Sequence, residues 1–204
     1  MKRNLIGRVA KYGAIALGAT VFSVGTCVTS EYSDVMGFSG DNEMGRTKNS
    51  LAAVIAGIAA QKMHGNSTLD LKIKKNLWSN ARITGKTTSN SVQTDIDLAL
   101  ASVHFKADGS SSSNLSGTVD KSEFDWGLKQ KDNASYDIAR FGPKFDSVLH
   151  LNVQNGKIKG LYERRGPHIN WDINGTYDSS GNVKIDVTAP LTLGITLEGK
   201  ITGN

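Results

Sequence analysis

The chain has 204 residues, enough for one domain of moderate size, and its 38% hydrophobic content and mean hydropathy of −0.29 describe a polar-surfaced protein. The formal charge of +5 is modest and four cations (Lys2, Arg3, Arg8, Lys11) sit at the extreme N-terminus, so the body is nearly neutral and the pI of 9.3 argues little for nucleic acid. With 1 Cys there is no internal disulfide, and a lone cysteine without a matching His and Asn pattern is a poor nucleophile.

Residues 1–30 read as an export signal. A basic start is followed by the apolar run Tyr12 to Val24, too short and too glycine-rich for a comfortable membrane span, and then by small residues at cleavage-site spacing. The alternative is a retained N-terminal membrane anchor. Val24-Gly25-Thr26-Cys27 resembles a bacterial lipobox, with Thr26 where Gly, Ala or Ser is usual, which makes Cys27 the candidate lipidation site and the N-terminus a candidate membrane attachment.

Residues 31–48 are polar and glycine-containing and read as a linker. Residues 49–64 read as a helix. Asn49 or Ser50 can cap it, Leu51, Val54, Ile55 and Ile58 recur at helical spacing, Lys62 and His64 suit the last turn, and Gly65 suits the C′ position. Its polar face carries few cations, so it is expected to pack on the β-structure, as a plug or a cap across an open end, rather than lie on a membrane.

Residues 66–204 form the expected antiparallel β domain. Leu69, Leu71 and Ile73 alternate with Asp70, Lys72 and Lys74. Val92 to Phe105 reads as one long bent strand whose apolar set changes face at a bulge. Lys129 to Asp146 is the least regular stretch, with a short helix expected around Tyr136 to Phe141. From Ser147 to Ile201 the alternation is clear. Asn155-Gly156 suits a type I′ turn that sets Gln154 opposite Lys157, Val153 opposite Ile158, Leu151 opposite Gly160 and Leu149 opposite Tyr162. Trp171 and Ile173 share a face, as do Val183, Ile185 and Val187 after the turn at Asp178 to Asn182. Leu193, Ile195, Leu197 and Ile201 end the chain after Pro190.

The fold class is therefore all-β: an antiparallel meander of roughly eight to ten strands forming a barrel, a strongly curved sheet or a sandwich, with one N-terminal helix packed on it. Sparse aromatic girdles and the Thr202-Gly203-Asn204 ending count against an outer-membrane barrel.

Leu149, Leu151, Tyr162, Trp171, Ile173, Leu193 and Ile195 are the expected lining of an apolar face, able to hold a lipid or other apolar molecule. Other constellations are weaker. His104, His150 and His168 with Asp172 match no compact metal spacing. Asp95 with Asp97, and Glu123 with Asp125, are carboxylates two apart on a strand, the arrangement a glycosidase uses but also that of any solvated strand. Arg164-Arg165 with Lys157 and Lys159 form a small basic patch suited to anionic headgroups or a glycan. Trp78, Trp126 and Trp171 are spread too widely for a stacking platform. Four Asn-X-Ser/Thr sequons, at Asn66, Asn114, Asn133 and Asn174, fit the composition alone. No cofactor, metal or nucleic acid is expected. The sequence favours an exported, non-catalytic binding protein of the cell envelope, then a structural or surface-interaction module with a filled core, then a carboxylate hydrolase.

Overall fold

The computed structural model describes residues 43–74, 81–97, 102–119, 126–140, 145–164, 170–188 and 194–204. A helix, α1 (Glu43–His64), is followed by twelve strands: β1 (Ser67–Lys74), β2 (Ala81–Thr87), β3 (Ser91–Asp97), β4 (Ser102–Gly109), β5 (Leu115–Val119), β6 (Trp126–Gln130), β7 (Ser135–Arg140), β8 (Phe145–Gln154), β9 (Lys157–Arg164), β10 (Asn170–Tyr177), β11 (Asn182–Thr188) and β12 (Ile195–Gly203). Every neighbour pair is antiparallel, and β1 pairs with β12 from Ser67 opposite Gly203 to Lys74 opposite Thr196. The meander therefore closes into a barrel without a free edge.

The period-two pattern assigns the two faces of this wall. In β1, Leu69, Leu71 and Ile73 are buried while Asp70, Lys72 and Lys74 are exposed, and β4 and β11 repeat the alternation. The apolar set points into the lumen and charged residues point outward in mid-strand, the reverse of a wall built to face lipid. The β8–β9 hairpin has the expected register at each of the four pairs, around Asn155 at φ 53° and Gly156 at φ 72°. Positive φ at both central residues defines the type I′ turn, whose twist matches that of the flanking strands.

The lumen is filled by α1. All ten residues from Leu51 to Ala60 are buried, and Ala52, Ala53, Val54 and Ile55, which follow one another at about 100° around the axis, are each 0% exposed. The helix packs on β12 and β1 to β4 along one side and on β8 across the barrel. A helix that is apolar all round belongs in a core, and its many alanines and Gly57 keep it slim enough for this one. A Cβ on Gly57 would lie 2.5 Å from Val92 Cγ1 and 2.9 Å from Thr94 Cγ2.

Polar contacts fix the helix axially. Thr94 Oγ1 donates to the Ala53 carbonyl at 3.0 Å, within the lumen. At the C-terminal end Gln61 Nε2 donates to the carbonyls of Thr88 (3.1 Å) and Ser89 (3.3 Å), and Thr87 Oγ1 donates to the Gly65 carbonyl at 2.6 Å. Gly65, at φ 70°, stops the helix as expected, its N–H reaching the Gln61 carbonyl.

Four expectations are corrected. The strand count is twelve among the described residues, above the eight to ten expected. The helix begins at Glu43 rather than Asn49, six residues inside the expected linker, because each added residue contributes a hydrogen bond once the packed segment has formed the helix. Val92 to Phe105 is two paired strands, β3 and β4, so the change of apolar face reflects a chain reversal and not a bulge. The short helix expected from Tyr136 is strand β7; among the described residues the register shift of this sheet lies between β7 and β8, where Ile138 faces Ser147 and Ala139 faces Phe145, so the extra residue, Asp146, is on β8. The export signal and Cys27 lie outside the described residues.

Candidate functional site

Leu149, Leu151, Tyr162, Trp171, Ile173 and Ile195 all sit on the inner face, none more than 3% exposed; Leu193 lies outside the described residues. They are buried on the inner side of the wall, whose lumen α1 occupies. Tyr162 donates its hydroxyl to Ser147 Oγ at 3.2 Å.

Tyr136 is different. Its side chain is fully buried, and its hydroxyl has no hydrogen-bond partner among the described residues. Lys62, in the last turn of α1, places Nζ 5.8 Å from the centre of its ring and donates to the Asn133 carbonyl. Burial pushes the Tyr136 phenol well above its ordinary value of 10.0, Asp132 adding to the effect, and burial also lowers Lys62. The folded protein thus keeps Tyr136 protonated where the unfolded chain ionises it. The resulting stability is fully present below about pH 10 and is lost as pH rises from there toward the raised folded value. Lys62 works in the opposite sense, since its lowered value makes stability rise with pH up to its ordinary value of 10.5. Replacing Tyr136→Phe keeps the ring under Lys62 and removes the titration. The variant is expected within about 1 kcal/mol of the parent at neutral pH, because an orphaned hydroxyl contributes little, and flatter than the parent in alkaline melting curves. Parallel curves above pH 10 would contradict the assignment.

The polar constellations stand on the outer wall. His104 Nδ1 lies 2.7 Å from Asp95 Oδ1, with both side chains partly in solvent, and Asp97 points outward beside Arg82 without joining them. His150 is on β8 and Asp172 on β10, separated by β9; His168, Glu123 and Asp125 lie outside the described residues. Among the described residues no three metal-donor side chains converge. One arrangement went unseen in the sequence: Ser135 Oγ is 3.2 Å from His150 Nδ1, and His150 Nε2 is 3.9 Å from Glu163 Oε2, across three adjacent strands. The order is Ser, His, carboxylate, but His150 and Glu163 are about half-exposed, and the nearby N–H groups of Ala134 and Ser135 are taken by Asp132 Oδ1 at 2.8 Å. Those two N–H groups are therefore not available to stabilise an oxyanion.

The outer wall from β8 through β12 to β1 carries two neighbouring hollows. A cup of about 340 Å³ is lined by Asn152, Gln154, Asn155, Lys157 and Lys159. A groove of about 770 Å³ crosses β10, β11, β12 and β1 past Tyr177, Lys184, Lys200 and Lys72. Its carboxylates are engaged. Asp70 is held bidentately by Arg82 at 2.6 and 2.5 Å, and Glu198 by Lys74 at 2.7 Å. Asp178 accepts from Asn182 Nδ2 (2.8 Å) and from the N–H groups of Asn182 and Ser180, both at 2.9 Å. These donors hold all three carboxyls below their ordinary values: the Arg82 hydrogen bond for Asp70, that of Lys74 for Glu198, and those of Asn182 for Asp178. No protein-family model matches the chain, and no curated protein or solved structure matches it either.

Proposed function

We propose that this chain is an exported, non-catalytic interaction protein of the cell envelope that works through its outer wall. The observation that carries this reading is the burial of α1 on every side from Leu51 to Ala60. The apolar lining that suggested a lipid carrier is covered by the chain's own helix, which favours the filled-core module over a carrier with a lipid in its lumen. Export rests on the basic, apolar and small-residue order of the first thirty residues, and attachment to a membrane would run through Cys27. The non-catalytic reading rests on the open, solvated setting of the polar constellations described above.

Native mass spectrometry of the protein from its envelope fraction, intact and then denatured, tests the reading. The expected intact mass is that of the processed chain, with any excess remaining on denaturation and located at Cys27. An apolar mass released on denaturation would restore the carrier and overturn the filled-core module.

A further inference from the structure

We propose that Asn155 is a site of spontaneous covalent modification: its side-chain amide cyclises onto the backbone at the β8–β9 turn and becomes a carboxylate, while the same dipeptide in β10 is held inert.

The chemistry is intramolecular. The backbone nitrogen of the residue after an asparagine attacks Cγ, and the new C–N bond closes a five-membered succinimide. The Cγ–Nδ2 bond breaks, and Nδ2 leaves as ammonia with the proton that the attacking nitrogen loses. Water then opens either ring carbonyl, giving aspartate or isoaspartate. A side chain on the following residue hinders the attack, so glycine is the favourable neighbour. Of all the asparagines in the chain, only Asn155 and Asn174 precede glycine.

The fold separates these two. Asn155 is exposed at the hairpin tip, and among the described residues neither its side chain nor the Gly156 N–H makes a hydrogen bond. Turning the one peptide plane between Asn155 and Gly156 converts the type I′ turn to type II′, the other two-residue turn that suits a hairpin. In type II′ the first central residue has ψ of about −120°. That angle brings the following nitrogen to the side of Cα that carries Cβ, as ring closure requires. The anchors of the turn survive the flip. Gln154 stays opposite Lys157, and the Gly156 carbonyl, which belongs to the next peptide plane, keeps the Tyr177 N–H at 3.0 Å.

Asn174-Gly175 has no such freedom. Strand β10 is paired on both sides here, with Asn174 opposite Lys159 and Asp186, and Gly175 opposite Ile158 and Ile185. Strand ψ is about +135°, and the same rotation there breaks the ladder. Gly175 is also pressed against β11, where a Cβ would lie 2.6 Å from the Lys184 carbonyl oxygen. Reaction at Asn174 therefore waits for the sheet to open, and reaction at Asn155 only for a turn to flip.

Either product puts a carboxylate beside Lys157 and Lys159, in a hollow whose lining among the described residues holds none. Isoaspartate also adds a backbone carbon to a loop whose two-residue length sets the pairing of β8 with β9.

The test incubates the full chain at mildly alkaline pH, folded or in guanidinium chloride. Mass spectrometry follows the peptides that carry Asn155 and Asn174, and an isoaspartate-specific methyltransferase counts isoaspartate. In the folded protein Asn155 is expected to convert at least about tenfold faster than Asn174, and in guanidinium the two are expected to agree within about threefold. Equal rates in the folded protein, a faster Asn174, or an Asn155 that converts only in guanidinium overturns the proposal. A tenfold preference that persists in guanidinium also overturns it, because the selectivity would then belong to the flanking sequence and not to the turn.

Discussion

A glutamate at Ala52, Ala53, Val54 or Ile55, introduced one position at a time, is expected to prevent stable folding in every case. The four side chains point to four sides of α1 and each is 0% exposed. An unpaired carboxylate forced into such a site costs on the order of 3–5 kcal/mol, and overpacking adds to it, against a total stability of roughly 5–15 kcal/mol. A helix lying on the outside of a sheet gives a different pattern, since the positions on its solvent side tolerate charge within about 0.5 kcal/mol. Denaturant melts of the four variants decide between the two. One well-folded variant would place that side of α1 in water and remove the main support for a filled lumen. Gln93→Glu, on the exposed face of β3, is the matched control and is expected to be nearly neutral.

Gly57 is the second sensitive position. Alanine is ordinarily favoured over glycine in a helix by about 1 kcal/mol, yet here a Cβ would meet Val92 Cγ1 at 2.5 Å, Thr94 Cγ2 at 2.9 Å and Phe105 Cε1 at 3.4 Å. Val92 and Thr94 are β-branched and cannot swing aside, and Thr94 is also tied to the Ala53 carbonyl. Gly57→Ala is therefore expected to destabilise by about 1–2 kcal/mol in spite of its propensity, and Gly57→Leu by about 3 kcal/mol or more. Chemical denaturation of both variants is the measurement. A more stable Gly57→Ala protein would mean that α1 stands further from β3 and β4 than it does here.

The parts of the fold that were legible in the sequence are those where two signals coincide. Asn155-Gly156 supplied a turn with one register, and the alternation on either side permitted only that register, so the pairing of β8 with β9 was found to the residue, although β8 begins at Phe145, two residues before the alternation was read. The β3–β4 hairpin was hidden because Leu98 to Ala101 reads Leu-Ala-Leu-Ala and carries none of the Gly, Pro, Asn or Asp that usually mark a turn. Strand β7 was hidden because burial does not alternate along it: Tyr136, Asp137, Ile138 and Ala139 are all buried, and Asp137 pairs with Lys131 at 3.0 Å. The site was harder still. The lining residues were readable from period two, but what they line depended on α1, whose core Leu51 to Ala60 is apolar on every side and not along one stripe. That all-round character was the available signal for a lumen helix. The pairing of outer carboxylates, and of Ser135 with His150, depends on which strands lie side by side and leaves no trace in spacing.

The closure of β1 on β12 orders events in time as well as in space. The helix and the first strand leave the ribosome early, and their last partner is the C-terminal segment; Ser67 waits for Gly203. Until that final strand pairs on both sides, the growing sheet has two open edges and an uncovered apolar face, the condition most exposed to misassembly. Such long-range closure is slow relative to local hairpin formation. The chain's N-terminal helix offers the unfinished sheet an apolar partner of its own throughout that delay, a built-in chaperone that the finished barrel then keeps.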